Sequence, residues 1–519
     1  MAGKYLRGVR QQVPGATEKI DNLFKINSLI YKFKDMKKVL ILIIIVILAS
    51  CSEISSQKPL NVLLIIVDDE NAWLNSIATN FPTPGFELLA DKSLYFSNAY
   101  CAAPACAPSR TAMLTGLAPT TTGAYYNNQN LWANNTEYAK ATTLPDQFKK
   151  NGYTTACFGK ILHPGHDEYT KDSWSEGYYF PYNVQEGLNL QNQAYDVTTF
   201  KHPMWYFGKL PDSPDSKAEA TLLQDTRNVN RVLDFLEQDH KSPFFVALGI
   251  YKPHGPWYIP KRFFDKFPLE DIKIPEGFKP DDLNDVPECA KWLATHRNFH
   301  DSIVSQHIWK KIIQAYQAAV SYSDDQLMRA VKALENSEYK ENTIVVLVGD
   351  NGFHLGEKDH WSKFALWQQS TKVPIMIKLP GKFKMAGKIY PEPVSLLDIY
   401  PTLVELTGIQ FPAHELDGTS LMNTLKDGHI NSIPVLSTHG QNCNAVIKDQ
   451  YYYIQYRNGA KELYNMEEDP FQWQNLAADS SSKAIINELS HFIPHSQAPN
   501  LSFQYGDESS KGWSKEAFK

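Results

Sequence analysis

Cysteine is scarce: six residues in a chain of 519, at positions 51, 101, 106, 157, 289 and 443. That excludes a fold stapled by disulfides, and the spacing assigns no pairing. Charge of one sign is missing too. Lysine and arginine number 51 against 57 aspartate and glutamate, a formal net charge of −6. The balance is too even to make nucleic acid or an anionic membrane surface an obligatory partner, so an anionic substrate must be held locally. Core-forming residues, by contrast, are not lacking. Hydrophobic residues make up 43%, charged 21% and aromatic 12%, which excludes disorder as the main state and leaves room for two or three domains.

A run long enough to cross a bilayer, about 20 apolar residues, is absent from the one segment that looks like a membrane signal. Residues 39–49 are apolar, preceded by Met36-Lys37-Lys38 and followed by Ser50-Cys51. A basic head and a short apolar middle make a secretory signal; the other reading is a buried hydrophobic helix. Leu48-Ala49-Ser50-Cys51 resembles the lipobox of bacterial lipoproteins. That implies export, a lipid on Cys51 and a periplasm-facing or outer-membrane location, with residues 1–35 as an upstream extension and Met36 as an alternative start. The expected organisation is an extension, signal and linker at 1–58, a large domain at 59–432 and a C-terminal subdomain at 433–519.

Residues 61–67 are a nearly unbroken β-branched and leucine run, the pattern of a strand buried on both faces of a parallel sheet. It ends in Asp68 and Asp69. A similar run at 343–348 ends in Gly349-Asp350-Asn351, and a third at 244–249 leads into Lys252-Pro253-His254. Helical patterns are expected at 144–150, 218–237 and 309–335. Strands alternating with amphipathic helices predict a layered α/β/α sandwich with a large, mainly parallel sheet, whose ligands collect at the strands' carboxyl edge. From about residue 433 the aromatic stretch 451–456 and a helix pattern near 484–492 predict a smaller α+β unit. No internal repeat occurs, and the tail from Ser502 is polar.

Acids at strand ends are commonly turn formers. Three carboxylates gathered at one sheet edge, however, are too costly to bury unless a cation neutralises them. Asp68, Asp69, Asp350 and Asn351 are all oxygen donors, which suits Ca²⁺, or Mg²⁺ as second choice, better than zinc. Pro108 suits the first turn of a helix, so Cys106 is expected at a helix N-terminus. A cysteine there is either structural or a thiolate nucleophile.

The stretch Cys106-Ala107-Pro108-Ser109-Arg110, followed by Leu114-Thr115-Gly116, resembles the signature of the type I, formylglycine-dependent sulfatases. The likeness spans nearly the whole mature chain, to the stretch from Glu462 to Pro470. Within the family it is greatest to iduronate 2-sulfatase, on the residues from Gly159 to Gly165, on Lys252-Pro253-His254, and on those from Gly352 to Lys363. A departure is Asn351, where iduronate 2-sulfatase has histidine and other sulfatases have asparagine.

The resemblance implies an alkaline phosphatase-like fold with an antiparallel C-terminal sheet. It also implies oxidation of Cys106 to 3-oxoalanine (formylglycine) by a formylglycine-generating enzyme, and Ca²⁺ held by Asp68, Asp69, Asp350, Asn351 and the modified residue 106. Arg110 would hold the nucleophile's second oxygen or lower its pKa, and Lys160 and Lys363 would clamp the sulfate. The hydrated aldehyde attacks sulfur, a sulfated enzyme forms, and sulfate is then expelled. His254 is assigned as the acid and His163 as the base, on the expectation that imidazole titrates near neutrality; the reverse assignment stays open. His360, Trp257 and Arg457 are weaker candidates for sugar contact, each equally well read as a packing or surface residue, and are left out of the site.

The implied activity is hydrolysis of sulfate esters on a sulfated polysaccharide or its oligosaccharides, with a 2-O-sulfated uronate first, in an algal polymer such as ulvan or in a glycosaminoglycan. Two other classes compete. A phosphoesterase or phosphonate hydrolase of the same superfamily is disfavoured by the cysteine and by the lack of paired histidines beside Asp350. A non-catalytic glycan-binding lipoprotein is disfavoured by the intact set of reactive residues.

Overall fold

The computed structural model describes residues 58–72, 81–133, 136–164, 166–179, 189–429, 433–507, 513 and 515–518. The signal-like segment and Cys51 lie outside these residues. Among the described residues no helix is long and apolar enough to cross a membrane. The described residues from Pro59 onward belong to one compact unit, Pro59–Lys519.

Its centre is a twisted mixed sheet of β1 (Asn61–Asp68), β2 (Leu94–Tyr100), β3 (Thr154–Gly159), β4 (Glu176–Tyr179), β5 (Phe244–Pro253), β6 (Thr343–Gly349), β7 (Lys372–Lys378) and β8 (Lys388–Tyr390), in the order β8-β2-β7-β6-β1-β5-β3-β4, with Val394–Ser395 paired to β2. Strands β6, β1, β5, β3 and β4 run parallel, while β7 is antiparallel to both its neighbours. Every residue of β1, β5 and β6 is buried, as their unbroken apolar runs require. Alternate β1 side chains face opposite layers. Val62, Leu64 and Ile66 join one core, and Leu63, Ile65 and Val67 join the other.

The first layer contains α1 (Cys106–Thr115), and the second contains α2 (Gln224–Leu236) and α3 (Trp309–Asn336). The helix expected over 218–237 is interrupted. Ser216–Leu222 ends at Leu223, which is extended (φ −108°, ψ 123°), and α2 begins after it. The break lets the Asp225 carboxylate accept from the amides of Tyr251 (2.8 Å) and Lys252 (3.0 Å), anchoring the end of β5.

The C-terminal part is a separate antiparallel meander of β9 (Val435–Thr438), β10 (Asn444–Lys448), β11 (Tyr451–Gln455) and β12 (Lys461–Asn465). One face packs on helix Lys483–Ser490 through Val446, Tyr453, Leu463, Ile486 and Leu489. The other meets Tyr100 and Trp367 of the large unit through Tyr452, Ile454 and Tyr464. The polar tail does not simply trail away. It returns to the loop after α1, where Ala498 donates to Thr120 O (2.8 Å), Leu501 to Gly123 O (3.0 Å) and Gln504 to Asn128 O (2.7 Å). Trp513 is buried and donates to His439 O at 2.7 Å.

Candidate active site

Strand pairing builds the floor of the site. Val67 of β1 lies opposite Gly349 of β6, so Asp68-Asp69 and Asp350-Asn351 leave the sheet side by side. Asp69 turns into the left-handed region (φ 59°), which aspartate tolerates better than most residues. The Asp69 amide donates to Asp350 Oδ1 (3.0 Å), and the Asp69 carbonyl accepts from the Tyr316 hydroxyl of α3 (2.6 Å). Asp68, Asp69 and Asp350 each offer an oxygen within 4.8 Å of the others, all buried. Asn351 Nδ2 donates to Asp69 Oδ1 (2.8 Å), while its buried Oδ1 meets no donor. Three carboxylates and an undonated amide oxygen fit a hard cation. A second triple within the same limit, Asp68, Cys106 and His254, offers sulfur and nitrogen, a softer donor set than the all-oxygen one.

Cys106 opens α1, as Pro108 in the first turn predicts, and only 1% of it is exposed. No side chain of the preceding residue caps this helix; Asn127 Oδ1 instead accepts from the Ala107 amide at 2.9 Å. Gly116, left-handed at φ 70°, ends the helix, which explains the glycine of Leu114-Thr115-Gly116. The Cys106 thiol lies 3.4 Å from Asp68 Oδ1, and Lys363 Nζ donates to it at 2.7 Å. Burial, then the Asp68 carboxylate, pushes this thiol well above its ordinary value. A resting thiolate is therefore disfavoured, and with it the plain cysteine-nucleophile reading.

Three cations answer the three acids. Arg110, fully buried, bonds Asp350 Oδ2 through Nε (2.6 Å), approaches Asp68 Oδ1 at 3.2 Å, and donates to the carbonyls of Lys160 and Ile161. It ties the carboxylates to the end of β3. Lys160 pairs with Asp68, and Lys363 with Asp69. Burial pushes the Asp68 carboxyl up, but Lys160, His254 and Arg110 outweigh it and hold the group well below the usual carboxylate range. Asp69 is lowered in the same way by Lys363 and His254. Lys160 reaches its place because Gly159 (φ 84°) and Gly249 let β3 and β5 touch. A Cβ on Gly249 would stand 2.0 Å from Lys160 O.

The histidines flank this floor. His254 Nε2 lies 3.6 Å from Asp69 Oδ2, and its Nδ1 edge is closed by the Tyr251 hydroxyl and by Gly255 O. Lys252 Nζ donates to the carbonyls of His254 and Pro256, bracing the loop. Burial brings His254 down to about 4 despite Asp69 and Asp68. Burial, with Lys160, pushes His163 well below its ordinary value. Both rings therefore rest neutral at pH 7, unlike the near-neutral titration expected from the sequence; desolvation is the cause.

Above the floor opens a cavity of about 510 Å³ lined by Asp69, Lys160, His163, His254 and Lys363 together with Asn127, Arg297 and an aromatic wall that includes Trp205, Trp257 and Phe364. Trp257, left open from the sequence between sugar contact and packing, is buried and also lines the cavity. His360 stands behind the site, its Nε2 2.9 Å from Lys363 O, and Arg457 lies over the Phe518 ring at 4.7 Å, outside the cavity lining. Lys252 was named in the sequence only as the start of Lys252-Pro253-His254, without a role, and Asn127 and Arg297 were missed. Neither of these two sits in a periodic pattern, and only tertiary folding brings them here. The five described cysteines are free and buried.

A family model described as Sulfatase matches residues 60–409, and one described as N-sulphoglucosamine sulphohydrolase, C-terminal, matches residues 356–498. A sulfatase of Formosa agariphila is 38% identical over 460 residues, covering 85% of this chain and 87% of that one. Human iduronate 2-sulfatase is 32% identical over 410 residues, covering 69% and 70%. In fold alone, a phosphonate monoester hydrolase of Silicibacter pomeroyi superposes with a TM-score of 0.66 at 18% identity, covering 87% of this chain and 100% of that one. A fold shared with a phosphonate hydrolase leaves the ester undecided, but the family match over the strands and helix that carry the acids, Cys106 and the lysines decides it: the chain belongs to the sulfatase family and is a sulfuric ester hydrolase.

Proposed function

We propose that this sulfatase desulfates a sulfated polysaccharide or its oligosaccharides, with a 2-O-sulfated uronate of an algal polymer such as ulvan or of a glycosaminoglycan as first substrate. It is exported and anchored through a lipid on Cys51. The observation that carries the reading is the gathering of Asp68, Asp69, Lys363 and His254 around Cys106 at the floor of one cavity. The likeness to iduronate 2-sulfatase supports the choice of sugar.

Asp68, Asp69, Asp350 and the free Oδ1 of Asn351 would hold Ca²⁺, which offsets negative charge on the sulfate oxygens. Formylglycine at position 106, made from the cysteine by a formylglycine-generating enzyme, supplies a geminal diol as nucleophile in place of the poorly ionised thiol. The remaining work falls to side chains on the page. Lys160 and Lys363 bind and orient the sulfate. The Nε2 edge of His254, held by Tyr251 and Gly255, faces the cavity; neutral at rest, the ring takes up a proton on binding the anionic substrate and then passes it from Nε2 to the departing sugar oxygen. His163, neutral at rest, takes up a proton during release of sulfate. The aromatic wall excludes water and faces the sugar.

The test measures sulfate and phosphate released from aryl esters by protein made with and without a formylglycine-generating enzyme, before and after chelation and with Ca²⁺ restored. Sulfate release only from the converted, Ca²⁺-loaded protein is expected, together with a lighter residue-106 peptide by mass spectrometry. Phosphate release alone, or full activity in Cys106→Ala, refutes the mechanism.

A further inference from the structure

Among the described residues, the cavity is lined by one cation that the floor does not use. Lys160 and Lys363 are each paired with an aspartate, but Arg297, which also lines the cavity, has no carboxylate within ion-pair distance among the described residues. It lies between helices Glu288–Thr295 and Phe299–Ser305 and is half-buried. Its Nε donates to His296 Nε2 at 3.2 Å, its carbonyl accepts from Lys201 Nζ at 3.2 Å, and its terminal nitrogens meet no described acceptor. The guanidinium stacks against the Phe364 ring, 5.4 Å from its centroid. Desolvation lowers its proton affinity with no acid to compensate. A guanidinium kept partly dry with its fork unfilled is costly unless something else fills it.

The same ring measures how far this cation is from the sulfate clamp. Lys363 Nζ lies 5.9 Å from the Phe364 centroid, so Arg297 and Lys363 are no farther apart than these two distances laid end to end. That upper bound leaves both cations within reach of the substituents of a single sugar. We infer that Arg297 is a specificity-determining residue that grips the carboxylate of the sulfated sugar while Lys363 and Lys160 hold its sulfate. The inference rests on the proposed function and adds to it the group that distinguishes a uronate from a neutral sugar. A planar carboxylate can take both arms of the fork, and a site built around that contact rejects an analogue that leaves the fork empty.

The test compares kcat/KM of the converted enzyme on a disaccharide ending in a 2-O-sulfated uronate and on its carboxyl-reduced counterpart, with an aryl sulfate as a third substrate. Wild type should prefer the uronate, and Arg297→Gln should cut that preference by about 10- to 100-fold, the range for charged hydrogen bonds. Arg297→Lys, which keeps the charge but loses the fork, should fall between. Equal turnover of the two sugars by wild type overturns the inference. So does an Arg297→Gln variant that loses rate equally on both, which marks a merely structural role, or one whose loss is confined to the carboxyl-reduced sugar. Failure of wild type to cleave even the aryl sulfate instead refutes the proposed function.

Discussion

Two lysines five residues apart in one loop are both buried and both ion-paired, yet they should respond oppositely to loss of charge. Lys363 pairs with Asp69 and lies 2.7 Å from Cys106 Sγ. Lys358 pairs with Asp282 at 3.0 Å, donates to Gln472 O and lies against the Tyr464 ring, away from the cavity lining. Replacing Lys363 by methionine keeps the length and removes the charge. A positioned donor facing charge that develops in the transition state contributes about 2.7–4 kcal/mol, a hundred- to a thousand-fold in kcat. The cost to stability is smaller than the about 3–5 kcal/mol typical of a broken buried pair, because Asn351 Nδ2 and His254 still face Asp69. Lys358→Met strands Asp282 beneath the C-terminal sheet and carries the larger share of that cost. The assay is aryl sulfate turnover at saturating substrate beside thermal melting of both variants. The expected pattern is a kcat collapse with a modest loss of melting temperature for Lys363→Met, and the reverse for Lys358→Met. A Lys363→Met enzyme within tenfold of wild-type kcat, or equal kcat losses in both, would refute the reasoning.

Two further outcomes follow from burial elsewhere. Gly249→Ala places a methyl 2.0 Å from Lys160 O; forcing the strands apart should cost about 1–3 kcal/mol and lower kcat/KM by moving Lys160, and a variant with unchanged melting and activity would show the approach to be looser than described. Burial lifts the Glu357 carboxyl from 4.5 to about 7, so its stabilising contribution is complete below pH 4.5 and is lost as pH rises through 7, by about 3 kcal/mol. Glu357→Gln should therefore gain on wild type in melting temperature between pH 5 and pH 8, whereas a pH-independent gap contradicts the assignment.

The floor of the site was legible because strands buried on both faces announce themselves as unbroken apolar runs, and the acids follow where those runs stop. Asp68-Asp69 and Asp350-Asn351 could thus be set beside one another before their register was known. Cys106 and Gly116 were legible because a helix start and a left-handed stop leave local marks. Lys363 had no such mark. Its loop places Ser362 (φ 77°) and Phe364 (φ 74°) in a region non-glycine residues seldom enter, and only the motif pointed to it. The break at Leu223 was hidden because its cause, the Asp225 contact with β5, is 26 residues away in sequence. Trp257 reads the same whether it fills a core or walls a cavity.

The returning tail also orders events in time. Residues 498–504 close over the loop behind α1, which is made nearly 400 residues before them. Cys106 is itself only 1% exposed in the closed fold, so a macromolecule that is to reach its sulfur has to meet the chain before it folds or while it is open.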